Sequence, residues 1–238
     1  MQYKNITNNL EGYFYCSDRY RISVEDLYPR RRKTMTYSIE VASFLSGASI
    51  NQLQRWAHDG ILIPEIHQER PKIYSFRDIV ALRSITKLRA TNSLQRIREA
   101  LNHLDEFDFN EHLSEYRFAT DGKSIKIWDD EKDHFLDVVK NPGQWEVINL
   151  EDVYAPFMNL QGRRVPDLRT PAKGIRIDPQ RLGGVPTLDG TRIPFDLMVD
   201  LSNGDMSAEE IADFYPDIEI ESIQHAIDFD ASVRKLVA

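Results

Sequence analysis

The chain has one cysteine, Cys16, so it can form no internal disulfide and cannot build a cysteine-based zinc site. Such sparing use of cysteine fits a reducing compartment, and a cytoplasmic location is expected. No apolar run approaches the roughly 18 residues that span a bilayer, and the stretch Met1 to Leu10 is polar, without the apolar core of an export signal. The six histidines (58, 67, 103, 112, 134, 225) never fall at His-x-x-x-His spacing, so no metal site is expected. A nucleophile elbow is lacking, and Gly183-Gly184 is not followed by the lysine and helix of a phosphate loop. Neither catalysis nor a cofactor is expected. One further absence is local: residues 196 to 230 contain no lysine or arginine. That segment would repel nucleic-acid phosphate.

The same segment holds eleven carboxylates, at 196, 200, 205, 209, 210, 213, 217, 219, 221, 228 and 230. They fall on successive helical turns, which makes a solvated acidic face rather than the converging acids of a metal-dependent nuclease. Net charge is −8 overall but unevenly spread. Between Arg30 and Arg98 thirteen lysines and arginines face five acids, a net of +8, which leaves −16 for the remainder. Partner choice follows the local field, so the two parts should meet different partners. The 238 residues suffice for two modest domains, and 41% hydrophobic with 29% charged residues is ordinary for a globular chain.

Residues 1–34 form a basic extension ending in Arg30-Arg31-Arg32-Lys33. Ser38 is placed to cap a helix that turns Val41, Ala42 and Leu45 inward, Gly47 to make a turn, and Ser49 to cap a second helix from Ile50 to His58. Ile61 to Pro64 then leads to a loop with Arg70, Lys72 and Tyr74, and a third helix runs from Ser75 to about Ala90. Leu94, Ile97, Leu101 and Leu104 fall on one helical face, which suits intramolecular packing or a dimer seam equally. From Tyr116 the period shifts toward two: Tyr116 to Ala119 and Ser124 to Trp128 predict a hairpin around Asp121-Gly122. Further strands are expected at 135–139 and 145–148, and residues 159–173 read as a linker.

The residues Tyr37-Ser38-Ile39, Gly47-Ala48-Ser49, Leu53 to Trp56, Gly60-Ile61-Leu62 and Tyr74-Ser75 resemble the winged helix-turn-helix of the MerR and excisionase group. DNA binding by residues 35–105 is what that resemblance implies. Asn51, Gln52, Gln54 and Arg55 then lie on the polar side of the second helix as base-reading candidates, with Leu53 and Trp56 turned to the core. Arg70 and Lys72 on the wing, and Arg31 and Arg32 in the extension, are phosphate-contact candidates. Gln54 stands where MerR proteins usually carry arginine, and no cysteine-bearing effector tail follows, so neither operator sequence nor metal sensing carries over.

In the last quarter, Asp189-Gly190 predicts a tight turn, and Pro194 fits the first turn of a helix. Asn203-Gly204 closes that helix, Ser207 with Glu210 forms a capping box for the next, and Tyr215-Pro216-Asp217 breaks it before a last helix from Glu219 to about Phe229. Gly184-Val185-Pro186, Gly190 to Pro194, Ala208 to Ile211 and Tyr215-Pro216 are similar in order to the landmarks of domain of unknown function 433. Together with the first helix-turn-helix, this layout resembles the larger VapB-type antitoxins. The resemblance implies a PIN-like ribonuclease toxin as partner, with Arg192, Glu209, Glu210, Asp213, Tyr215 and Asp217 as contact candidates. A structural ion pair of Arg192 with Asp196 or Asp213 competes with that role, as turn packing does for Tyr215.

The expected fold is α+β: a winged helix-turn-helix at 35–105, a small β-hairpin region with linker at 106–172, and at 173–238 a β-hairpin with three helices in a homeodomain-like arrangement. The expected function is that of an antitoxin that neutralises a ribonuclease and, as a homodimer, represses its own operon. The alternative is a MerR-like regulator without a toxin partner, whose C-terminal module serves oligomerisation or ligand sensing.

Overall fold

Serines open the helices of the first half, and the elements follow from them. The computed structural model describes residues 36–106, 112–115, 117–120, 125–129, 134–137, 146–148 and 150–237, all within one unit, 35–238. The basic extension, with Arg31 and Arg32, lies outside them, as does the Asp121-Gly122 turn. The Ser38 hydroxyl caps α1 (Ile39–Ser46) by accepting from the Val41 N–H at 3.4 Å, and Gly47 ends the helix at φ 82°, where a side chain would be strained. Ser49 opens α2 (Ile50–His58) and Ser75 opens α3 (Phe76–Thr91), each through a full capping box, with Gln52 and Asp78 as the returning side chains. Strand β1 (Tyr37–Ser38) pairs antiparallel with β2 (Ile73–Tyr74), and α4 (Leu94–Glu106) follows.

Beyond α4, a four-stranded antiparallel sheet runs in the order β5–β4–β3–β6. Its strands are β3 (Phe118–Thr120), β4 (Ile125–Asp129), β5 (His134–Asp137) and β6 (Glu146–Ile148). Helix α5 (Leu150–Tyr154) leads to a small hairpin of β7 (Phe157–Met158) with β8 (Arg164–Val165). The C-terminal module pairs β9 (Ile175–Arg176) with β10 (Thr187–Leu188), then adds α6 (Phe195–Asn203), α7 (Ala208–Phe214) and α8 (Ile220–Val237). The whole is a mixed α+β fold of mostly helices with small antiparallel hairpins. No described helix is long and apolar enough to cross a membrane.

Two apolar clusters make the core. One gathers the inward faces of α1 to α4 with Phe118, Ile125 and Ile148 of the sheet and Val153, Tyr154, Leu168 and Ile177. The other lies inside the C-terminal module around Met198, Ile211, Ile223 and Phe229. Val41 and Phe44 of α1 pack against both, and Phe44 meets Phe229 edge to face at 5.5 Å. At a second joint, the Tyr37 hydroxyl donates to the Gly184 carbonyl. Burial of that hydroxyl pushes its pKa upward. A Cβ on Gly184 would fall 2.6 Å from the Phe76 ring.

Several expectations change here. Residues 159–173 are not a linker: Asn159, Val165 and Leu168 are buried. Side chains of the same segment hydrogen-bond to carbonyls of the helix-turn-helix. Pro194 is the N-cap of α6 rather than a residue of its first turn. Helix α8 outruns its expected end at Phe229, because Val233 still finds a buried place. The Leu94–Leu104 face is used within the chain: Ile97 is 1% exposed, and Leu94 and Leu101 pack on the core. The side chain of Leu104 lies outside the described residues.

Candidate nucleic-acid interface

Helix α2 presents two unlike faces. Leu53 and Trp56 are buried, and each such apolar side chain contributes about 1.5–3 kcal/mol by leaving water. Asn51, Gln54 and Arg55 are exposed on the other side. Gln52 is partly committed, because its Oε1 accepts from the Ser49 N–H at 2.8 Å in the capping box. Sequence reading placed four base-reading side chains here; three stand free at the surface and the fourth holds the helix start.

The wing is a short loop in which His67 and Ile73 exchange backbone hydrogen bonds at 3.2 and 3.0 Å. Arg70 is exposed near its tip. The Lys72 ammonium turns back to donate to the Gln68 carbonyl, so it stabilises the loop as well as carrying charge.

Not every cation of the basic stretch faces solvent. Arg98 reaches from α4 to Asp59 just past the end of α2. The Asp59 carboxyl is held below its ordinary range by a hydrogen bond to His58 first, with Arg98 adding to it. Arg77 lies 3.5 Å from Glu115 and 3.9 Å from Glu65. Arg83, in the middle of α3, is 0% exposed. Its Nε donates to the Val153 carbonyl at 2.6 Å, Nη1 to that of Leu45, and Nη2 to those of Tyr154 and Ala155 at 3.2 and 2.9 Å. Its guanidinium also sits 5.1 Å from the centroid of the Phe157 ring. Burial lowers its pKa to about 10, so it is still a cation at neutral pH. Part of the net charge of the basic stretch, Arg83 is a bolt between α3 and the α5 segment. No local signal separates it from its neighbours.

Glu65, Asp78 and His112 bring three ligand-type atoms together within 4.8 Å. Their polar atoms are already engaged. Asp78 Oδ2 accepts from the N–H groups of Glu65 and Ser75 at 3.0 and 2.8 Å. His112 Nδ1 accepts from the Ser114 N–H at 3.2 Å, which leaves the proton on Nε2 to be donated to Asp78 Oδ1 at 3.2 Å. The trio therefore ties the start of α3 to the 112–115 segment, and Ser75 Oγ closes it by donating to Glu65.

In the C-terminal module, Glu209, Asp213 and Asp217 are exposed. Glu210 Oε2 accepts from the Ser207 N–H at 2.8 Å, as the capping box requires. Tyr215 is half-buried against the second cluster, and burial raises its hydroxyl pKa. Arg192 is exposed. Arg181 also reaches that turn and donates to the Thr191 carbonyl at 2.8 Å. The last acidic helix does meet cations: Lys173 pairs with Glu221 at 2.8 Å, and Arg234 of the same helix with Asp230 one turn before it.

Comparison with known proteins agrees with this division. The family model of MerR HTH family regulatory proteins matches residues 37–104, which shows a MerR-type helix-turn-helix region there. The model of a protein of unknown function, DUF433, matches residues 175–229. No curated protein matches the chain. A crystal structure of Rv2018 from Mycobacterium tuberculosis is similar at 18% identity and a TM-score of 0.44, over 80% of this chain and 96% of that one.

Proposed function

We propose that the chain is a DNA-binding regulator that also acts as an antitoxin. Residues 37–104 bind operator DNA, and the acidic C-terminal module holds a basic protein, a PIN-like ribonuclease. One observation carries this reading: charge is segregated between the two modules. Helix α2 has an arginine and no acid, and from Ile79 to Arg98 five cations occur with no carboxylate, four of them part-exposed and Arg83 buried. Residues 196 to 230 carry eleven carboxylates and neither lysine nor arginine. A ribonuclease must attract RNA phosphate, so a carboxylate-rich surface competes for the same field.

Around the α7–α8 junction, Phe214 is 42% and Ile220 46% exposed, beside Asp213, Asp217, Glu219 and Glu221. An apolar anchor within a polar rim is the usual anatomy of a protein interface. Self-repression as a homodimer belongs to this reading, with the dimer contact elsewhere than on Ile97.

The test is co-expression of the full chain with the protein encoded next to it. Because Phe44 joins the modules, point variants of the whole chain are better probes than fragments. Replacing Glu209, Asp213 and Asp217 with lysine leaves the Glu210 cap intact. Association with the nuclease should slow, and the difference from wild type should shrink as salt rises. Equal binding by the variant would refute the acidic face. A wild type that binds no neighbouring nuclease but self-associates through the C-terminal module would favour the regulator without a toxin.

A further inference from the structure

The β7–β8 hairpin is tied to the helix-turn-helix on one side and bare on the other. Asn159 Nδ2 donates at 2.8 Å to the carbonyl of Gly47, in the turn between α1 and α2, and Arg163 Nη2 donates at 3.2 Å to that of Ser43. Asn159 Oδ1 also accepts from the N–H groups of Gln161 and Arg163 at 3.1 and 2.9 Å, which fixes the loop from within. A Val165 methyl fills the space above Gly47, only 2.4 Å from where a Cβ there would sit. The loop is thus held in one position at the helix-turn-helix turn.

Its outer side is open. Met158 is 57% and Leu160 54% exposed, and Gln161 and Arg164 are exposed as well. Leu160 and Gln161 line one shallow hollow with Gln52, Trp56 and Arg89. The hairpin tip therefore stands beside the N-terminal half of α2, the part of a recognition helix that approaches bases. Lys87 of α3 reaches the hairpin, its ammonium 5.2 Å from the centroid of the Phe157 ring. Between Asp152 and Asp167 the sequence has two arginines and no acid; Arg163 is held by the Ser43 carbonyl, and Arg164 is exposed. An exposed arginine on a loop fixed to the turn of the helix-turn-helix fits a phosphate backbone.

We propose that the β7–β8 hairpin is a second wing that grips double-stranded DNA beside the recognition helix, with Arg164 on a phosphate and Leu160 against the sugar edge. The inference rests on the DNA-binding reading above and adds a contact outside the MerR-type region. Phosphate contacts of this kind set orientation and affinity rather than sequence choice.

The experiment is a salt titration of the full chain on a mixed-sequence duplex of about three helical turns, followed by fluorescence anisotropy. Arg164→Gln should lower the slope of log affinity against log salt by about 0.9, the share of one phosphate contact. Leu160→Glu places a carboxylate at the exposed tip and should weaken binding about tenfold at low salt. Both side chains are exposed, so melting temperatures should match wild type. Arg55→Ala, read on the DNA upstream of the chain's own gene, reports separately on the recognition helix. Unchanged slope and affinity in both hairpin variants, with Arg55→Ala weakened, would overturn the second wing and leave the DNA reading standing. A wild type that does not bind duplex would overturn both. Preference for single-stranded RNA, lost in the hairpin variants, would overturn the DNA assignment of the hairpin.

Discussion

Replacing Arg83 with methionine isolates one buried polar connection, because methionine follows the arginine stem and removes only the guanidinium. Four carbonyls lose a donor. That of Tyr154 keeps the Leu168 N–H at 2.8 Å, and that of Ala155 is only part-buried, so water can reach it. Leu45 and Val153 are left as buried acceptors with nothing in exchange. An unsatisfied buried carbonyl costs about 1–3 kcal/mol, so the two together cost about 4 kcal/mol. For a chain of this size 1 kcal/mol moves the melting temperature by about 2–4 °C. The expected fall is about 8–16 °C, read by circular dichroism or calorimetry. Arg83→Lys should recover little of it, since one ammonium cannot reach the directions served by Nε, Nη1 and Nη2. A fall below about 3 °C in the methionine variant would refute the argument that these bonds join α3 to the α5 segment. Full rescue by lysine would show that the charge, not the fork, is what counts.

Ile97→Asp should abolish folding rather than yield a folded monomer, because a carboxylate placed at a 1% exposed site must be desolvated; a folded monomer by light scattering and circular dichroism would restore the seam on that face. Gly184→Ala sets a methyl against the Phe76 ring at φ 89° and should cost about 2 kcal/mol or more in urea unfolding; a loss within error would mean that the Tyr37–Gly184 joint yields easily. Arg55→Ala should weaken operator binding by about 1–3 kcal/mol in gel shift without changing stability. Arg70→Ala should instead weaken all sequences alike, and a sequence-dependent effect at Arg70 would move base reading onto the wing.

The local devices and the charge plan are written in the order of the residues alone. Ser49 with Gln52, Ser75 with Asp78, and Ser207 with Glu210 are capping boxes between residues three apart, so their geometry needs nothing beyond the helix they open. The inward faces of α1 and α2, the turn at Gly47 and the acidity of residues 196–230 were legible for the same reason. What those pieces do to one another is set by long-range packing. Arg83 and Arg89 look alike in a basic run, but only Arg83 meets carbonyls some seventy residues away. Residues 159–173 have the polar composition of a linker, and they pack because Asn159 and Arg163 find the carbonyls of Gly47 and Ser43 around the end of α1. The stripe through Ile97 fits a dimer seam as well as a core, since a helix carries the same pattern for either surface. Which surface it meets depends on where the sheet and α2 stand, and spacing along one helix holds no record of that.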